Sequence, residues 1–188
     1  MFAGFTVPPT KQFDLGNGSD LLYFENFLER KEASGYLESL NNELPWIRPT
    51  LSVYGQKCEQ PRETCYVADE GLPTYKYSGY QPIVYKWEDF PVLKIIANAV
   101  HSALPAAKFN SVLLNRYTNG NDYAAWHADD EKVHRVLLTC LKLILHANHK
   151  VQRGSYTQRD WEHSVPKRKR VNGLRINLTF RYITSEQR

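Results

Sequence analysis

Apolar residues recur at helical spacing in two stretches of the chain. Within residues 21–44 their period predicts an amphipathic helix, which Pro45 and Pro49 end. A second helix is predicted within residues 89–105, with a proline suited to its first turn. Residues 1–20 carry Pro, Gly and Asn and are predicted to be an irregular lead-in. The apolar stripes expected to face the core are Phe24, Phe27, Leu28, Tyr36, Leu37 and Leu40 in the first helix, and Val92, Leu93, Ile95, Ile96, Ala99 and Val100 in the second.

Alternating polar and apolar positions predict strands in the rest of the chain. Residues 46–88 are rich in Tyr, Thr and Val and are punctuated by Gly and Pro, which favours short strands and hairpins. Residues 109–117 read as a strand followed by a turn at 118–121, and residues 175–183 alternate cleanly. The first of these strands places Leu113, Asn115 and Tyr117 on one face, and the second places Ile176, Leu178, Phe180 and Tyr182 opposite Arg175, Asn177, Thr179 and Arg181.

Composition adds a domain size and a charge asymmetry to this pattern. The 188 residues suit one domain, and 42% hydrophobic residues can form a core. The net charge is only +4, but residues 150–188 hold ten Lys and Arg against three Asp and Glu. This basic end favours a polyanionic partner, and a solvated positive face is the alternative. Neither a signal peptide nor a membrane span is predicted, and three cysteines without a CxxC pair indicate a reducing compartment.

One short motif has the composition of a metal site. In the sequence His127-Ala128-Asp129, an extended backbone points the first and third side chains the same way. One further imidazole would complete the two-His, one-carboxylate set that holds non-haem iron(II) and leaves positions open for other ligands. His163 is the natural third ligand, although a His beside a Trp is more often a packed side chain. The three-residue motif is weak on its own.

The polar face of the last predicted strand suggests an anion site. If its apolar face packs against helices, Arg175 and Arg181 point into the interior. Buried charge is costly unless it is paired, and arginine is suited to bidentate contact with a carboxylate. A dicarboxylic acid would fit these two side chains. The alternative is that the polar face is exposed to water.

These motifs together resemble the AlkB family of dealkylating dioxygenases. Their order is Asn115-Arg116-Tyr117, His127-x-Asp129, His163 and Arg175-x-Asn177-x-Thr179-Phe180-Arg181, and Val53-Tyr54-Gly55, Pro61-Arg62 and Tyr75-x-Tyr77-Ser78-Gly79 look most like the branch that acts on duplex DNA. The resemblance runs from Trp46 to about Lys132 and again from Arg153 to Ile183. It implies an α+β fold over residues 21–188, with a double-stranded β-helix (jelly roll) core, N-terminal helices and a nucleotide-recognition lid.

The resemblance also implies roles for individual residues. The expected iron(II) ligands are His127, Asp129 and His163. Residues expected to hold the cosubstrate 2-oxoglutarate are Asn115, Tyr117, Arg175, Thr179 and Arg181. Asp130 is the expected catalytic residue in contact with the base, Tyr75, Tyr77 and Ser78 belong to the lid, and Tyr54, with Gly55 and Gln56 beside it, matches an aromatic finger that enters the base stack.

The implied reaction is oxidative demethylation of DNA bases. Oxygen and 2-oxoglutarate give succinate and carbon dioxide while the N-methyl carbon is hydroxylated and lost as formaldehyde. The expected lesions are 1-methyladenine and 3-methylcytosine, which pair poorly and are therefore easier to flip out of a duplex. We expect a monomer that acts on alkylated DNA in the nucleus, with RNA as an alternative substrate. Residues 166–170, Pro-Lys-Arg-Lys-Arg, resemble either a phosphate-contacting loop or a nuclear-import patch.

One segment departs from the family pattern. The interval from His127 to His163 is shorter than the family's, and residues 134–152 match none of its strands. Missing strands expose sheet edges, so the core is expected to be incomplete. The alternative reading is therefore a shortened, catalytically impaired isoform that at most binds nucleic acid.

Overall fold

A computed structural model describes residues 11–16, 19–25, 27–53, 55–105, 108–127, 141–145, 150–154 and 162–183. Two helices and twelve strands lie within these residues, as the α+β prediction requires. The helices are α1 (Arg30–Glu43) and α2 (Pro91–Ala103), with a 3-10 turn at Trp87–Asp89. The strands are β1 (Lys11–Gly16), β2 (Ser19–Tyr23), β3 (Thr50–Val53), β4 (Gln56–Glu59), β5 (Glu63–Ala68), β6 (Val84–Tyr85), β7 (Ser111–Tyr117), β8 (Ala124–His127), β9 (Leu141–Leu145), β10 (Lys150–Gly154), β11 (His163–Val165) and β12 (Arg175–Arg181).

One large sheet organises the molecule. Its strand order is β1-β2-β10-β9-β12-β7-β5-β6, and its neighbouring strands are antiparallel except for the parallel pair β5 and β6. Strands β8 and β11 form a separate two-stranded sheet, and β3 and β4 form a hairpin. The central position of β12 and β7 explains why their side chains are buried on both faces.

The apolar face of β12 packs beneath the helices, as its alternation predicts. Ile176, Leu178 and Phe180 are 0% exposed and share one core cluster with side chains of both helices. Burying each such side chain contributes about 1.5–3 kcal/mol. The stripe of α2 is confirmed in part. Ile95 is 44% exposed, so its predicted core position is wrong, and Ala97 is buried instead. The core residues that α1 and α2 supply from their buried faces are Leu40, Leu93, Ile96, Ala97 and Val100.

Two predictions for the N-terminal region are wrong. Residues 11–16 form strand β1 rather than an irregular lead-in, and the first helix begins at Arg30 rather than Leu21. Pairing decides both cases, because β2 lies between β1 and β10 in the sheet. The apolar residues Phe24, Phe27 and Leu28 are buried, as predicted, but they lie in the segment between β2 and α1. Their helical spacing reflected burial rather than helix.

The segment that departs from the family pattern contributes to the large sheet. β9 pairs with β12 from Leu141 opposite Phe180 to Leu145 opposite Ile176, and β10 joins β9 to β2. In the described part of the chain no helix is long and apolar enough to cross a membrane.

Candidate metal and anion site

Two histidines meet where β8 and β11 pair. His163 lies directly opposite His127 in the antiparallel register. Their ring centroids are 4.3 Å apart and the ring planes are inclined by 53°. The structure therefore brings together the two predicted imidazole ligands, which are 36 positions apart in the chain.

A bulge in β8 sets the orientation of His127. His127 and Ala124 pair with His163 and Val165, so β8 uses one more residue than β11 over this interval. Ala124 is buried, while Ala125 and Trp126 are exposed. The carbonyl oxygen of Ala125 lies 2.7 Å from Nδ1 of His127 and can only accept, so Nδ1 carries the proton. The lone pair of the ring is then on Nε2, the nitrogen suited to bind a metal.

The donor set fits a divalent transition metal. Imidazole nitrogen is a ligand that iron(II) and zinc bind well, and here the carbonyl oxygen of Ala125 fixes one tautomer of His127. Within the part of the chain that the structure describes, no cluster contains three or more His, Cys, Asp or Glu side chains suited to a metal. The predicted carboxylate ligand Asp129 and its neighbour Asp130 lie outside the described residues.

The polar face of β12 is buried, so the water-exposed alternative is wrong. Asn177, Thr179 and Arg181 are 6%, 4% and 5% exposed. A cavity of about 40 Å³ lies against this face and reaches both histidines. It is lined by Arg62, Leu113, Asn115, Tyr117, Ala124, His127, His163, Val165, Asn177, Thr179 and Arg181.

Arg175 is a partly desolvated cation whose direct contacts are with neutral side chains. Its Nε donates to Oδ1 of Asn177 at 2.9 Å, and its guanidinium lies 5.4 Å from the ring centroid of Tyr117. Burial lowers the pKa of Arg175, Tyr117 acts in the opposite direction, and the charge of Arg168 lowers it further. No ion pair within the described residues involves Arg175. A site of this kind favours an anionic ligand.

Arg62 joins the cavity, and sequence reasoning had assigned it no role. Its Nε donates to Oδ1 of Asn115 at 2.8 Å, which orients that predicted cosubstrate residue. Arg62 directly precedes β5, and β5 pairs with β7 so that Thr64 lies opposite Asn115. The pairing of β5 with β7 brings Arg62 and Asn115 together although they are far apart in sequence. The residues next to each of them in sequence do not indicate this contact.

Tyr75 connects the predicted lid to the anion site. Its hydroxyl accepts a hydrogen bond from a terminal nitrogen of Arg181 at 2.5 Å, and the guanidinium lies 5.2 Å from its ring centroid. The ring of Tyr66 stacks on Tyr75 with centroids 4.9 Å apart. Tyr75 is only 8% exposed and contacts Arg181, but it is not among the residues that line the cavity beside the histidines.

The other predicted lid and hairpin residues lie close to one another. Tyr77 and Tyr80 close a tight turn through paired backbone hydrogen bonds, and Ser78 and Gly79 adopt positive φ of 45° and 75° within it. Gly55 and Gln56 are exposed at the turn of the β3–β4 hairpin. Tyr54, the predicted finger, lies outside the described residues.

A basic turn follows β11 and packs against the turn after β7. Lys167–Arg170 are all exposed, and Nζ of Lys167 lies 4.4 Å from the ring centroid of Tyr123. Gly120 exchanges backbone hydrogen bonds with Arg168 and Val171 at 2.8 Å. A Cβ at Gly120 would lie 1.9 Å from the carbonyl oxygen of Arg168, so the contact requires glycine. The packing fixes four cations near the histidine-bearing sheet.

Asp122 anchors the chain just before β8. Its carboxylate accepts hydrogen bonds from Arg48, at 3.1 Å, and from the backbone nitrogen and hydroxyl of Thr118, at 2.8 and 2.9 Å. Burial raises the pKa of Asp122, but the hydrogen bonds from Arg48 and Thr118 outweigh it and the pKa is lowered. The carboxylate thus holds the strand that carries His127.

We expect Asp122→Asn to lower the free energy of unfolding by about 1–3 kcal/mol at pH 7, because charge-assisted hydrogen bonds are lost. A lowered folded-state pKa adds stability above the unfolded pKa of about 3.9, and this stability is lost as the pH falls through the folded value. Urea unfolding of both proteins from pH 7 to pH 2.5 measures this. The free energies of unfolding of the wild type and of Asp122→Asn should converge below about pH 4. A difference that stays constant with pH would show that the charge of Asp122 does not stabilise the fold.

Comparisons with known proteins agree with this geometry. The profile of the 2OG-Fe(II) oxygenase superfamily matches residues 20–141. The chain is similar to the DNA oxidative demethylase ALKBH2 of Arabidopsis thaliana, with 41% identity over 222 residues that cover 94% of this chain and 70% of that protein. It is also similar to human ALKBH2, with 29% identity over 96% of this chain and 79% of that protein. Human alpha-ketoglutarate-dependent dioxygenase alkB homolog 3 is 28% identical over 90% of this chain and 68% of its own length.

Proposed function

This chain belongs to the AlkB family of 2OG-Fe(II) oxygenases, and from that membership we propose that it is an oxidative DNA demethylase whose substrates are 1-methyladenine and 3-methylcytosine. The observation that carries the proposal is the facing pair His127 and His163 beside a buried, arginine-lined cavity. Its relatives from Arabidopsis and human are named DNA oxidative demethylases. A metal ligand pair and an anion site at one place are what an iron- and 2-oxoglutarate-dependent reaction needs.

The proposed ligands of iron(II) are His127, His163 and Asp129. Bound iron(II) supplies the activation of oxygen for hydroxylation of the methyl group. The protein binds the diacid and orients it. Arg181 lines the cavity, and Arg175 lies next to it, in contact with the cavity residues Asn177 and Tyr117. Asn115, Tyr117 and Thr179 are the neutral groups proposed to complete the binding of the diacid.

We assign the fold to a double-stranded β-helix with a reduced second sheet. The large sheet supplies β7 and β12 to one wall of the cavity, and β8 and β11 supply the other wall. An active site between two sheets excludes water from the reacting groups, which strengthens their electrostatic interactions.

The lid and hairpin are proposed to handle the DNA base. Tyr75, Tyr77 and Ser78 would surround the flipped base and Asp130 would contact it. Tyr54, which precedes Gly55 and Gln56 in sequence, would occupy the gap left in the stack. The half-buried ring of Tyr77 packs 5.7 Å from the buried ring of Tyr75, so Tyr77 would offer the methylated base an aromatic surface that Tyr75 supports.

The basic turn at residues 167–170 is proposed to contact DNA phosphates. All four side chains are exposed and lie at the end of the strand that begins with His163. Phosphate contacts fix the register of a protein on DNA without reading its sequence. The same run is compatible with nuclear import, and we propose that a monomer of this chain acts in the nucleus.

The direct test is turnover on methylated DNA. Incubation with iron(II), 2-oxoglutarate and a duplex containing 1-methyladenine should release formaldehyde and succinate in equal amounts and restore the unmodified base. Omission of 2-oxoglutarate and an unmethylated duplex serve as controls. Turnover on a methylated RNA of the same sequence, compared with turnover on the DNA, tests the alternative that RNA is the substrate. No restored base on any strand, under conditions in which a known demethylase works, would show that this chain is an impaired form.

A further inference from the structure

The β3–β4 hairpin and the lid turn, Tyr77–Tyr80, are joined at two points. The backbone nitrogen of Ser52 in β3 donates to the carbonyl oxygen of Ser78 at 3.2 Å. The hydroxyl of Tyr77 donates to Oε1 of Gln60 at 3.1 Å, and Gln60 directly follows β4. Two elements that the proposed function assigns to separate tasks are therefore in direct contact.

Gln60 is rigidly held at the base of the hairpin. It is 0% exposed, its backbone nitrogen donates to Pro49 at 2.8 Å, and its carbonyl oxygen accepts from Arg48 at 3.3 Å. Its Nε2 is buried and has no hydrogen-bond partner among the described residues. A buried donor without a partner is costly, so an apolar side chain of the same size would serve the core better. The amide of Gln60 therefore contributes through its acceptor oxygen, Oε1, which binds the hydroxyl of Tyr77.

Tyr77 is the centre of a row of aromatic rings. Its centroid lies 5.7 Å from that of Tyr75 and 5.5 Å from that of Tyr80. Burial raises the pKa of Tyr77, so its hydroxyl stays protonated and can donate. Its ring is therefore positioned by neighbours in the lid, by a hydrogen bond of 3.1 Å to Gln60 at the base of the hairpin, and by a longer contact of 3.5 Å with the hydroxyl of Thr64 in β5. Loss of the hydrogen bond to Gln60 would remove this link between Tyr77 and the hairpin and leave the hydroxyl with its longer contact to Thr64.

We infer that Gln60 is a positioning residue that makes the hairpin and the lid turn move as one unit. Insertion of the hairpin into the stack and arrival of the lid at the displaced base then occur together. The inference rests on the proposed function. Flipping a base out of a duplex costs a few kcal/mol because the base must be unpaired and unstacked, and it costs less in a single strand. The coupling therefore matters most for duplex substrates.

The variant that tests this is Gln60→Met, which keeps the volume and removes the acceptor. We expect the ratio of kcat/KM on methylated duplex to that on the methylated single strand to fall by about threefold to tenfold, the value of one net hydrogen bond. Tyr77→Phe, which also removes the contact with Thr64, should lower the ratio at least as much, and the double variant should lose no more than Tyr77→Phe alone. Gln12→Met, which removes an exposed amide from β1, is the matched control and should leave the ratio unchanged.

Hydrogen exchange tests the coupling without turnover. In the free protein, Gln60→Met should speed exchange in peptides covering residues 49–60 and 74–82 together, including the amide of Ser52, while melting stays within a few degrees of the wild type. Faster exchange in only one of the two peptides would overturn the inference. So would an unchanged ratio of kcat/KM on the duplex to kcat/KM on the single strand, including the case in which both values fall equally. If the wild-type protein repairs neither the methylated duplex nor the methylated single strand, the proposed function is refuted. Hydrogen exchange alone then shows whether Gln60 couples the hairpin to the lid turn.

Discussion

Replacement of His163 by alanine should abolish iron-dependent turnover. The imidazole of His163 is one of two that meet at 4.3 Å between β8 and β11, and the tautomer of its partner is set by the Ala125 carbonyl. Loss of an outer-shell partner typically costs 10–100-fold in metal affinity or activity, so loss of a direct ligand should cost more than about 100-fold. Anaerobic loading with iron(II), desalting and iron analysis, together with formaldehyde release, measure both effects.

Ser164→Ala is the matched control for this prediction. Ser164 is the next residue on β11, and it does not line the cavity. It should bind iron and turn over like the wild type. Thermal melting gives a second readout, because manganese(II) with 2-oxoglutarate should stabilise the wild type by mass action and leave His163→Ala unchanged. Stoichiometric iron retention by His163→Ala would show that this imidazole is not a ligand.

The alternation of β12 predicted much of this site. Because one face reads Ile, Leu, Phe and the other Arg, Asn, Thr, Arg, the sequence alone indicates a buried strand with charge on its inner side. The structure adds the register, which places Arg175 opposite Tyr117 and Asn177 opposite Asn115. The facing positions belong to residues about sixty apart in the chain, and alternation cannot specify which residue lies opposite which.

Other features depend on contacts that local patterns do not encode. Apolar spacing before Arg30 resembled a helix, but pairing of β2 with β1 and β10 made part of it a strand. The bulge at Ala125 and Trp126 directs His127 inward, yet nothing in the residue types marks the extra residue. The link between Gln60 and Tyr77 likewise arises only when the hairpin meets the lid.

The large sheet also changes the interpretation of the short interval between the histidines. The alignment with the Arabidopsis relative spans 222 residues, longer than this chain of 188, so that relative carries residues that this chain lacks. β9 nevertheless lies beside β12, so the strand that carries both arginines has a neighbour on each side. A central strand of this kind holds its inward side chains rigidly, which an anion site requires.

Arg175→Met should remove cosubstrate binding while leaving the fold intact. Arg175 is desolvated, no ion pair within the described residues involves it, and its partners are the Asn177 amide and the Tyr117 ring. Truncation of one partner of a buried charged hydrogen bond costs about 2–5 kcal/mol, so KM for 2-oxoglutarate should rise at least about 30-fold. Removal of a half-buried cation that has no ion-pair partner among the described residues costs the ligand-free protein little, and its melting temperature should stay the same or rise.

Two further variants complete this test. Arg175→Lys keeps the charge but not the planar pair of donors, so its KM should lie between those of the wild type and Arg175→Met. Arg30→Met removes an exposed arginine at the start of α1 and should leave KM unchanged. Titration of 2-oxoglutarate at saturating DNA, with succinate as the readout, gives KM and kcat separately. A fall in kcat with KM unaltered would place the diacid elsewhere, because a residue that binds the cosubstrate must act on the concentration at which it saturates.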